Sequence, residues 1–415
     1  MNSLLNKLHP YPFERWRALT QGITVNPHLT PISLGIGEPR HPTPAFIQQA
    51  LSLHSSGLAI YPGTAGEPAL RQAFTDWVQR RYQVELNPAT QVLPVNGSRE
   101  ALFSLAQAVI DVQGLHRANA TVVCPNPFYQ IYEGAALLAG AQTAFANSDP
   151  ARNFAPRWDQ VPQAVWARTQ LLFVCSPGNP TGAVMSLEDW QHLFELSDQY
   201  HFVVASDECY SEIYFRDQPP LGALQAAQAL GRSNFKNLVV LTSLSKRSNV
   251  PGLRSGFVAG DADVLAQFLL YRTYHGCAMS PVVQQASIVA WNDEIHVTEN
   301  RAQYKRKFEQ VTPLLAEVLD VTLPDAGFYL WAGVSHIAPG MDDSRFAQQL
   351  LAQYNVTVLP GSLLAREAHG INPGSGRIRL ALVAEPHACL EAAERIRAFV
   401  RGLSASSAIQ TQNSH

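Results

Sequence analysis

Residues 238–256, LVVLTSLSKRSNVPGLRSG, join a buried strand to a cluster of polar side chains. The apolar run 238–241 predicts the strand, and hydroxyl-bearing residues then lead to Lys246, with Arg254 eight residues further on. Only five of the 30 basic residues are lysines, so a lysine in this position is unusual. A lysine at a strand end, among hydroxyl groups and near an arginine, indicates an amine that acts beside a bound anion.

Short apolar runs on either side of this segment alternate with helical periods. The runs begin at positions 92, 121, 171, 202 and 256, and helices are expected over 98–110, 129–139, 187–200 and 261–272. Continuous β-branched runs suit a sheet that is covered on both faces, and the intervening helices favour parallel pairing. We therefore predict an α/β fold whose large domain, residues 46–285, has a mostly parallel central sheet flanked by helices.

The two ends of the chain predict different structures. Residues 1–45 are rich in proline and are expected to form an arm that joins a smaller α+β domain over 286–403. Thr43 is the expected N-cap of a helix that continues to about Leu53, with Pro44 in its first turn. The small polar residues of 404–415 predict a disordered tail.

The small domain is expected to combine helices with short strands. One or two long helices are predicted over 280–319, with Tyr304 to Lys307 as a solvated basic face. Runs of β-branched and aromatic residues predict three strands, over 328–331, 356–359 and 377–382.

Composition excludes several classes of protein. The chain has 415 residues, 46% of them hydrophobic, and its formal net charge of -3 favours neither nucleic acid nor an anionic membrane as a partner. The N-terminus lacks the apolar stretch of a signal peptide, so a cytoplasmic location is expected. The five cysteines are widely spaced, which predicts buried reduced thiols and no metal site.

Polar and turn-forming residues follow each predicted strand. In open α/β sheets, ligands bind outside the carboxyl ends of the strands, so these residues are expected to converge on one site. They are found at 96–100, 125–129, 175–182, 206–210 and 242–246. This recurrence is a stronger indication of a site than any one of the motifs.

The residues at the strand ends suit a planar, phosphorylated ligand. Ser98 opens a predicted helix, where backbone N–H groups bind anions, and Ser243, Ser245 and Arg254 add donors to the same anion. Each of these is more simply an ordinary cap or surface residue when taken alone. A strand-end Lys246 is likewise often only solvated, an Asp207 often caps a helix, and a Tyr129 often lies in a core.

Three motifs together resemble those of the fold-type I, class I/II pyridoxal 5′-phosphate (PLP) aminotransferases. They are Ser176–Gly182 (SPGNPTG), Asp207–Tyr210 (DECY), and Ser243–Lys246 (SLSK) with Arg254. The resemblance covers roughly residues 10 to 400. It implies the PLP-transferase fold type I, PLP as cofactor, amino acid and 2-oxo acid substrates, and a homodimer with shared active sites.

The resemblance also implies a role for individual residues. Lys246 forms the Schiff base with PLP and carries the proton of the reaction, and Asp207 keeps the ring nitrogen protonated. Asn179 and Tyr210 bind the ring oxygen, and Tyr129 stacks on the ring. The phosphate ligands are Ser98, Arg99 through its backbone, Ser243, Ser245, Arg254, and Tyr61 of the neighbouring subunit.

The remaining implied residues bind the substrate. Gly37 lies over the substrate, Asn179 contacts it, and Arg379 binds its α-carboxylate. Arg377 is a close competitor for the last role, because the two arginines are separated by one residue.

Stretches near the N-terminus and the first two strands (9–14, 95–103 and 125–136) resemble the bacterial succinyldiaminopimelate aminotransferases of lysine biosynthesis. Other class I aminotransferases, acting on aspartate, alanine or aromatic amino acids, are the alternative. A non-catalytic transcriptional regulator of the same fold is disfavoured, because no basic helix-turn-helix module precedes the arm.

Overall fold

A computed structural model describes residues 1–113 and 119–412, without the side chains of 404–412. Its strands are β1 (Ile32–Ser33), β2 (Val92–Val95), β3 (Thr121–Asn126), β4 (Gln142–Asp149), β5 (Ala155–Pro156), β6 (Thr169–Cys175), β7 (Val203–Asp207), β8 (Leu238–Ser243), β9 (Gly256–Gly260), β10 (Tyr329–Gly333), β11 (Val356–Thr357), β12 (Leu359–Pro360) and β13 (Arg377–Ala381).

The α-helices cover both faces of the larger sheet and build most of the last third of the chain. They are α1 (Pro12–Leu19), α2 (Ala45–Leu53), α3 (Pro68–Tyr82), α4 (Ser98–Val109), α5 (Ile131–Leu138), α6 (Gln163–Trp166), α7 (Leu187–Tyr200), α8 (Ala223–Ala229), α9 (Leu244–Arg247), α10 (Ala262–His275), α11 (Pro281–Asn292), α12 (Ile295–Ala316), α13 (Asp343–Tyr354) and α14 (Pro386–Gln412).

The larger sheet has the order β2-β9-β8-β7-β6-β3-β4-β5. The five central strands from β8 to β4 are parallel, whereas β9 is antiparallel to β8 and β2, and β5 is antiparallel to β4. The predicted α/β fold with a mostly parallel sheet is therefore confirmed. Strand β9 runs the other way, and only α9 and a 3₁₀ turn connect it to β8. Strands β4 and β5 were not predicted.

The last third of the chain forms a second hydrophobic core. Its three-stranded antiparallel sheet has the order β10-β13-β12, and β1 of the arm pairs in parallel with β11. Trp16, Ile32 and Leu34 of the arm share one buried cluster with residues of α12, α13 and α14. Two other buried clusters lie on the two faces of the larger sheet. No helix among the described residues is both long and apolar enough to cross a membrane.

Several local predictions differ from the structure. Pro44, not Thr43, is the N-cap of α2, because the Thr43 hydroxyl donates instead to the carbonyl of Asn249, at 3.1 Å. The predicted solvated face at 304–307 is wrong in half of its residues, since Tyr304 and Lys307 are buried. Their spacing of three places both on the inner face of α12.

The C-terminal helix is longer than expected. Helix α14 continues to Gln412, beyond the point at Ser404 where we predicted a disordered tail, and residues 413–415 lie outside the described part of the chain. Neither glycine nor proline follows Gly402, so nothing in the backbone terminates the helix there. The predicted strand 356–359 is divided into the two short strands β11 and β12.

The cysteines have no disulfide partners among the described residues. Cys124, Cys209 and Cys389 are buried as expected, while Cys175 and Cys277 are partly exposed.

Candidate active site

One cavity of about 560 Å³ lies where the carboxyl ends of β6, β7 and β8 meet the arm and the smaller sheet. Its volume lies within the range of small-molecule sites. The predicted site residues that line it come from seven separate parts of the chain, and they are Gly37, Ser98, Arg99, Tyr129, Asn179, Asp207, Tyr210, Ser245, Lys246, Arg254 and Arg379. The structure therefore brings together residues as far apart in sequence as Gly37 and Arg379.

Lys246 lies on α9, the four-residue helix that directly follows the central strand β8. Its amine makes no hydrogen bond or ion pair to any residue in the described part of the chain. Burial lowers the pKa of Lys246, and the nearby positive charges of Arg254 and Arg99 lower it further, whereas Cys209 and Asp207 act in the opposite direction. A lowered pKa increases the fraction of neutral, nucleophilic amine.

Asp207 ends β7, the strand next to β8, lines the same cavity and is 4% exposed. The Tyr132 hydroxyl donates to its Oδ2 at 2.9 Å, and the backbone N–H of Cys209 donates to its Oδ1 at 3.3 Å. Burial raises the pKa of Asp207, and these two hydrogen bonds only partly oppose the effect. A buried carboxylate with no cation bonded to it is stabilised when it binds a positively charged group of a ligand.

Sequence reasoning missed Tyr132 as a site residue. It is fully buried on α5 and stacks on Phe173 of β6, with ring centroids 4.6 Å apart. Its hydroxyl donates to the Asp207 carboxyl and so orients it toward the cavity site. The available signal was the spacing of three residues between Tyr129 and Tyr132, which puts both on one face of the predicted helix 129–139. In the structure α5 begins only at Ile131, so Tyr129 precedes the helix and Tyr132 lies within it.

A cradle for an anion lies at the start of α4. Gly97, with φ +82°, precedes the helix, and a Cβ there would lie 2.3 Å from Nη2 of Arg254, so only glycine permits this approach of the guanidinium to the backbone. Ser98 opens α4 and accepts a hydrogen bond from the Cys209 thiol at 2.9 Å. Helix N-termini of this kind favour negative charge.

Two of the predicted anion ligands are placed differently from the others. Ser243 is buried and does not line the cavity, and its hydroxyl lies 3.6 Å from the Cys209 sulfur, just behind the wall. Arg99 lines the cavity, and its Nε donates to the hydroxyl of Tyr129 at 2.6 Å. The side chain of Arg99 therefore orients the Tyr129 ring.

Arg379 faces the cavity, whereas Arg377 does not. Arg379 is 4% exposed, lines the cavity, and donates to Asn179 Oδ1 at 3.1 Å and to the carbonyl of Gly35 at 2.8 Å. Arg377 instead donates to Asp320 at 3.3 Å, outside the cavity. Spacing alone left this choice open, because the difference depends on which neighbours each guanidinium meets.

Gly37 lies against a tyrosine that the sequence did not identify. A Cβ on Gly37 would lie 1.9 Å from the hydroxyl of Tyr329, so the arm crosses the cavity at a distance that excludes any side chain. The Tyr329 hydroxyl is 3.1 Å from that of Tyr210, and the Arg379 guanidinium lies over its ring, 4.4 Å from the centroid. Tyr329 thus connects the arm, β10 and β13 at the cavity.

Tyr61 does not line this cavity. It is fully exposed, and Leu53, Leu58 and Ile60 nearby are also strongly exposed apolar side chains. All four exposed side chains lie within residues 53–61, at the end of α2 and in the segment that follows it.

The fold and the cavity define a class of enzyme, and comparison with known proteins agrees. Residues 30–396 match the family described as aminotransferase class I and II, and the chain belongs to this family. It is an aminotransferase of PLP-transferase fold type I, as the three motifs predicted.

Three known proteins illustrate what the chain is similar to. An aminotransferase of known structure from Neisseria meningitidis is 53% identical, with a TM-score of 0.92 over 97% of this chain and 100% of that chain. The aminotransferase AspB from Helicobacter pylori is 35% identical, with a TM-score of 0.85 over 95% and 99% of the two chains. The LL-diaminopimelate aminotransferase of Dehalococcoides mccartyi is 32% identical over 85% of this chain and 86% of its own length.

Proposed function

We propose that this aminotransferase binds PLP in the cavity and transfers the amino group of a diaminopimelate-type substrate. The observation that carries the proposal is that one cavity is lined both by an amine without a bonded partner, that of Lys246, and by a buried carboxyl, that of Asp207. The lowered pKa of the amine suits a Schiff-base residue. Burial raises the pKa of the carboxyl, so a cation at this point would stabilise its charged form, and the protonated ring nitrogen of PLP would be such a cation.

The other lining residues fit the rest of the cofactor. The cradle between Gly97 and Arg254 suits its phosphate, since glycine lets the guanidinium and the N-terminus of α4 approach the same point. Further proposed ligands of PLP come from several strand ends, and they are Ser98, Arg99 through its backbone, Ser245, Tyr129, Asn179 and Tyr210. Ser243 acts from behind the wall, by orienting the Cys209 thiol against Ser98.

When bound, PLP supplies an electron sink for the bonds at the substrate Cα. Lys246, as its neutral amine, removes the Cα proton of the amino acid substrate and later returns a proton. Arg379 binds the substrate α-carboxylate and so fixes which Cα bond faces Lys246. Gly37 and Tyr329 close the cavity above the substrate and exclude water.

A second subunit completes the proposed site. Tyr61 is fully exposed near the strongly exposed Leu53, Leu58 and Ile60, and such a concentration of exposed apolar side chains favours burial against another copy. We assign its hydroxyl to the phosphate of the neighbouring subunit in a homodimer with shared active sites.

The substrate proposal rests on resemblance. The stretches at 9–14, 95–103 and 125–136 resemble succinyldiaminopimelate aminotransferases, which favours N-succinyl-diaminopimelate as amino donor and 2-oxoglutarate as acceptor. The relative from Dehalococcoides mccartyi carries the name LL-diaminopimelate aminotransferase, which favours the free diamino acid as the second candidate. Both substrates share one α-amino acid end, and both belong to lysine and diaminopimelate biosynthesis.

A half-reaction screen tests the proposal. The purified protein, loaded with PLP, is expected to be yellow, and borohydride is expected to fix the cofactor to Lys246, with Lys246→Ala as the matched control that fixes none. N-succinyl-diaminopimelate, free LL-diaminopimelate, glutamate, aspartate, alanine and tyrosine are then mixed with it singly, and loss of the visible band is followed. Glutamate and one diaminopimelate form are expected to react fastest.

Each outcome of the screen is decisive. A colourless protein that does not respond to added PLP contradicts the cofactor assignment. Faster reaction with aspartate, alanine or tyrosine than with either diaminopimelate form contradicts the substrate assignment but not the chemistry. The faster of the two diaminopimelate forms identifies which of them is the donor.

A further inference from the structure

A chain of buried hydrogen bonds runs behind the cavity to the backbone of Lys246. Lys307 Nζ donates to His41 Nε2 at 2.7 Å, His41 Nδ1 donates to Asn300 Oδ1 at 2.8 Å, and Asn300 Nδ2 donates to the carbonyl of Lys246 at 3.2 Å. Lys307, His41 and Asn300, here called the relay, are 1%, 6% and 3% exposed. No residue of the relay lines the cavity.

The direction of every bond in the relay is fixed by its neighbours. The carbonyl of Lys246 needs a donor, so it faces the Asn300 amide nitrogen, and Asn300 Oδ1 then accepts from both His41 Nδ1 and Asn249 Nδ2. The hydrogen of His41 therefore lies on Nδ1, and Nε2 accepts. Burial lowers the pKa of His41, which keeps the ring in this neutral form.

Lys307 has acceptors for each of its three N–H groups. Besides His41 Nε2 at 2.7 Å, the carbonyls of Leu382 and Val383 lie 3.3 and 3.5 Å from its Nζ. Three donors and three acceptors match the hydrogen-bonding capacity of an ammonium group, and they act against burial, which lowers the pKa of Lys307. A lysine buried to this degree without a bonded carboxylate is rare, because taking its charge out of water costs free energy that packing alone does not recover.

The relay touches three elements that each contribute to the cavity. Leu382 and Val383 directly follow β13, which carries Arg379. His41 follows the arm segment 36–39, which passes over the cavity. Asn300, on α12, holds the backbone of Lys246 on α9. Since α9 has only four residues, its own hydrogen bonds are too few to determine its orientation.

We propose that Asn300, held in place by His41 and Lys307, is a positioning residue for Lys246, and that the relay couples the placement of the amine to the arm and to the strand of Arg379. This inference rests on the proposed role of Lys246. A small rotation of α9 moves the amine relative to the substrate Cα, and a displacement of about 1 Å is enough to cost up to ~100-fold in rate. The relay opposes that rotation.

The test compares substitutions in the relay with one on the surface of the same helix. Asn300→Asp keeps the acceptor for His41 and Asn249 but removes the donor to Lys246, and Lys307→Met removes the ammonium at similar length. Lys305→Met, on the exposed face of α12, is the matched control. The PLP-loaded proteins are compared in kcat, in KM, in thermal midpoint, and in the pH midpoint of the visible band that PLP forms with Lys246.

We expect both relay variants to lower kcat about 10-fold or more with a smaller change in KM, and to shift the pH midpoint of the band, whereas Lys305→Met does neither. Because the relay acts as a unit, the double variant is expected to lose no more than the worse single variant. That non-additivity and the shifted band are not expected of residues that only stabilise the fold.

Relay variants with a lower thermal midpoint but the kcat and band of Lys305→Met would overturn the inference. If Lys307→Met does not fold, Asn300→Asp decides alone through kcat and KM, because it removes the donor to the Lys246 carbonyl. Its carboxyl also adds a negative charge, so its band shift counts only together with the loss of kcat. A wild-type protein without a PLP band contradicts the proposed function, and the inference with it. A wild-type band that the variants leave unshifted contradicts the inference only.

Discussion

Two neighbouring cations differ in their hydrogen bonding: the one that faces the cavity has no bonded partner among the described residues, and the one in the buried layer behind it has several. Lys246 and Arg247 are consecutive on α9, yet the amine of Lys246 faces the cavity with no bonded partner in the described part of the chain. Arg247, 2% exposed, points backward and donates to the carbonyls of Ala290 and Asp293 at 2.7 and 3.1 Å and to Glu294 at 2.6 Å.

This difference shows how function and stability can be separated within one short helix. A cation whose hydrogen-bonding capacity is used by the protein contributes to the fold, and one whose capacity is unused, beside a cavity, is available to a ligand. An unpaired atom alone does not distinguish the two, since the Nε atoms of Arg379 and Arg247 both lack a partner among the described residues. The position beside the cavity is the deciding feature.

The largest expected effect tests the cavity side of this contrast. Arg379→Lys removes the planar fork that binds a carboxylate, so kcat/KM is expected to fall about 1,000-fold while the thermal midpoint changes little. The matched control is Arg377→Lys on the same strand, which is expected to lose less than about threefold, because its guanidinium contacts Asp320 outside the cavity. Steady-state kinetics of both variants would contradict the assignment if Arg377→Lys were the more damaged.

An intermediate effect tests the layer behind the cavity. Arg247→Met leaves two backbone carbonyls and Glu294 without their donor, and it is expected to lower the free energy of unfolding by about 2 kcal/mol, a value kept low because Glu294 is 44% exposed. Arg80→Met is the control, since the exposed Arg80 donates to the carbonyl of Trp291 at the end of the same α11. Urea unfolding of the two variants measures the difference, and equal losses would contradict the contrast.

The smallest expected effect concerns Asp207 in the protein without PLP. Because burial raises its pKa in the folded state, its contribution to stability is fully present below the ordinary value of 3.8 and is lost as the pH rises through the raised pKa. At pH 7 the burial of this carboxyl therefore opposes folding, and Asp207→Asn is expected to raise the thermal midpoint of the PLP-free protein by about 2 °C.

The pH dependence supplies the check on this prediction. The gain from Asp207→Asn is expected to disappear by about pH 3.8, where the wild-type carboxyl is protonated, and the exposed control Asp217→Asn is expected to show no gain at either pH. With PLP bound, the wild type is expected to have the higher thermal midpoint, because in the proposed site the ring nitrogen would pair with the carboxylate. A lower midpoint for Asp207→Asn in the PLP-free protein would show that the buried charge is already compensated.

The residues that the sequence predicted are mainly those at strand ends. Asn179, Asp207, Ser245 and Lys246 each follow an apolar run, and a parallel sheet necessarily brings such positions to one edge. Tyr132 and Tyr329 were missed because both lie inside elements whose pattern reads as core. Their hydroxyls became visible as site groups only when their partners, Asp207 and Tyr210, were placed.

Lys307 shows most clearly what the sequence pattern could not predict. Its neighbours Lys305 and Arg306 are exposed, and a basic run on a helix ordinarily faces solvent, so a prediction from charge alone placed all of them there. Only the packing of the arm residue His41 and the end of β13 against α12 gives this one amine three acceptors in the interior. Those partners are separated from Lys307 by 266 and 75 residues.

The sequence by itself determined the mostly parallel sheet, the edge at which polar residues gather and the position of Lys246 at a strand end, because strand periodicity and strand-end chemistry are local properties. Tertiary structure alone decided that Arg379 and not Arg377 faces the cavity, that Gly37 has no room for a side chain, and that Lys307 is buried. These outcomes depend on contacts between segments distant in sequence, and no local pattern specifies which segments will meet.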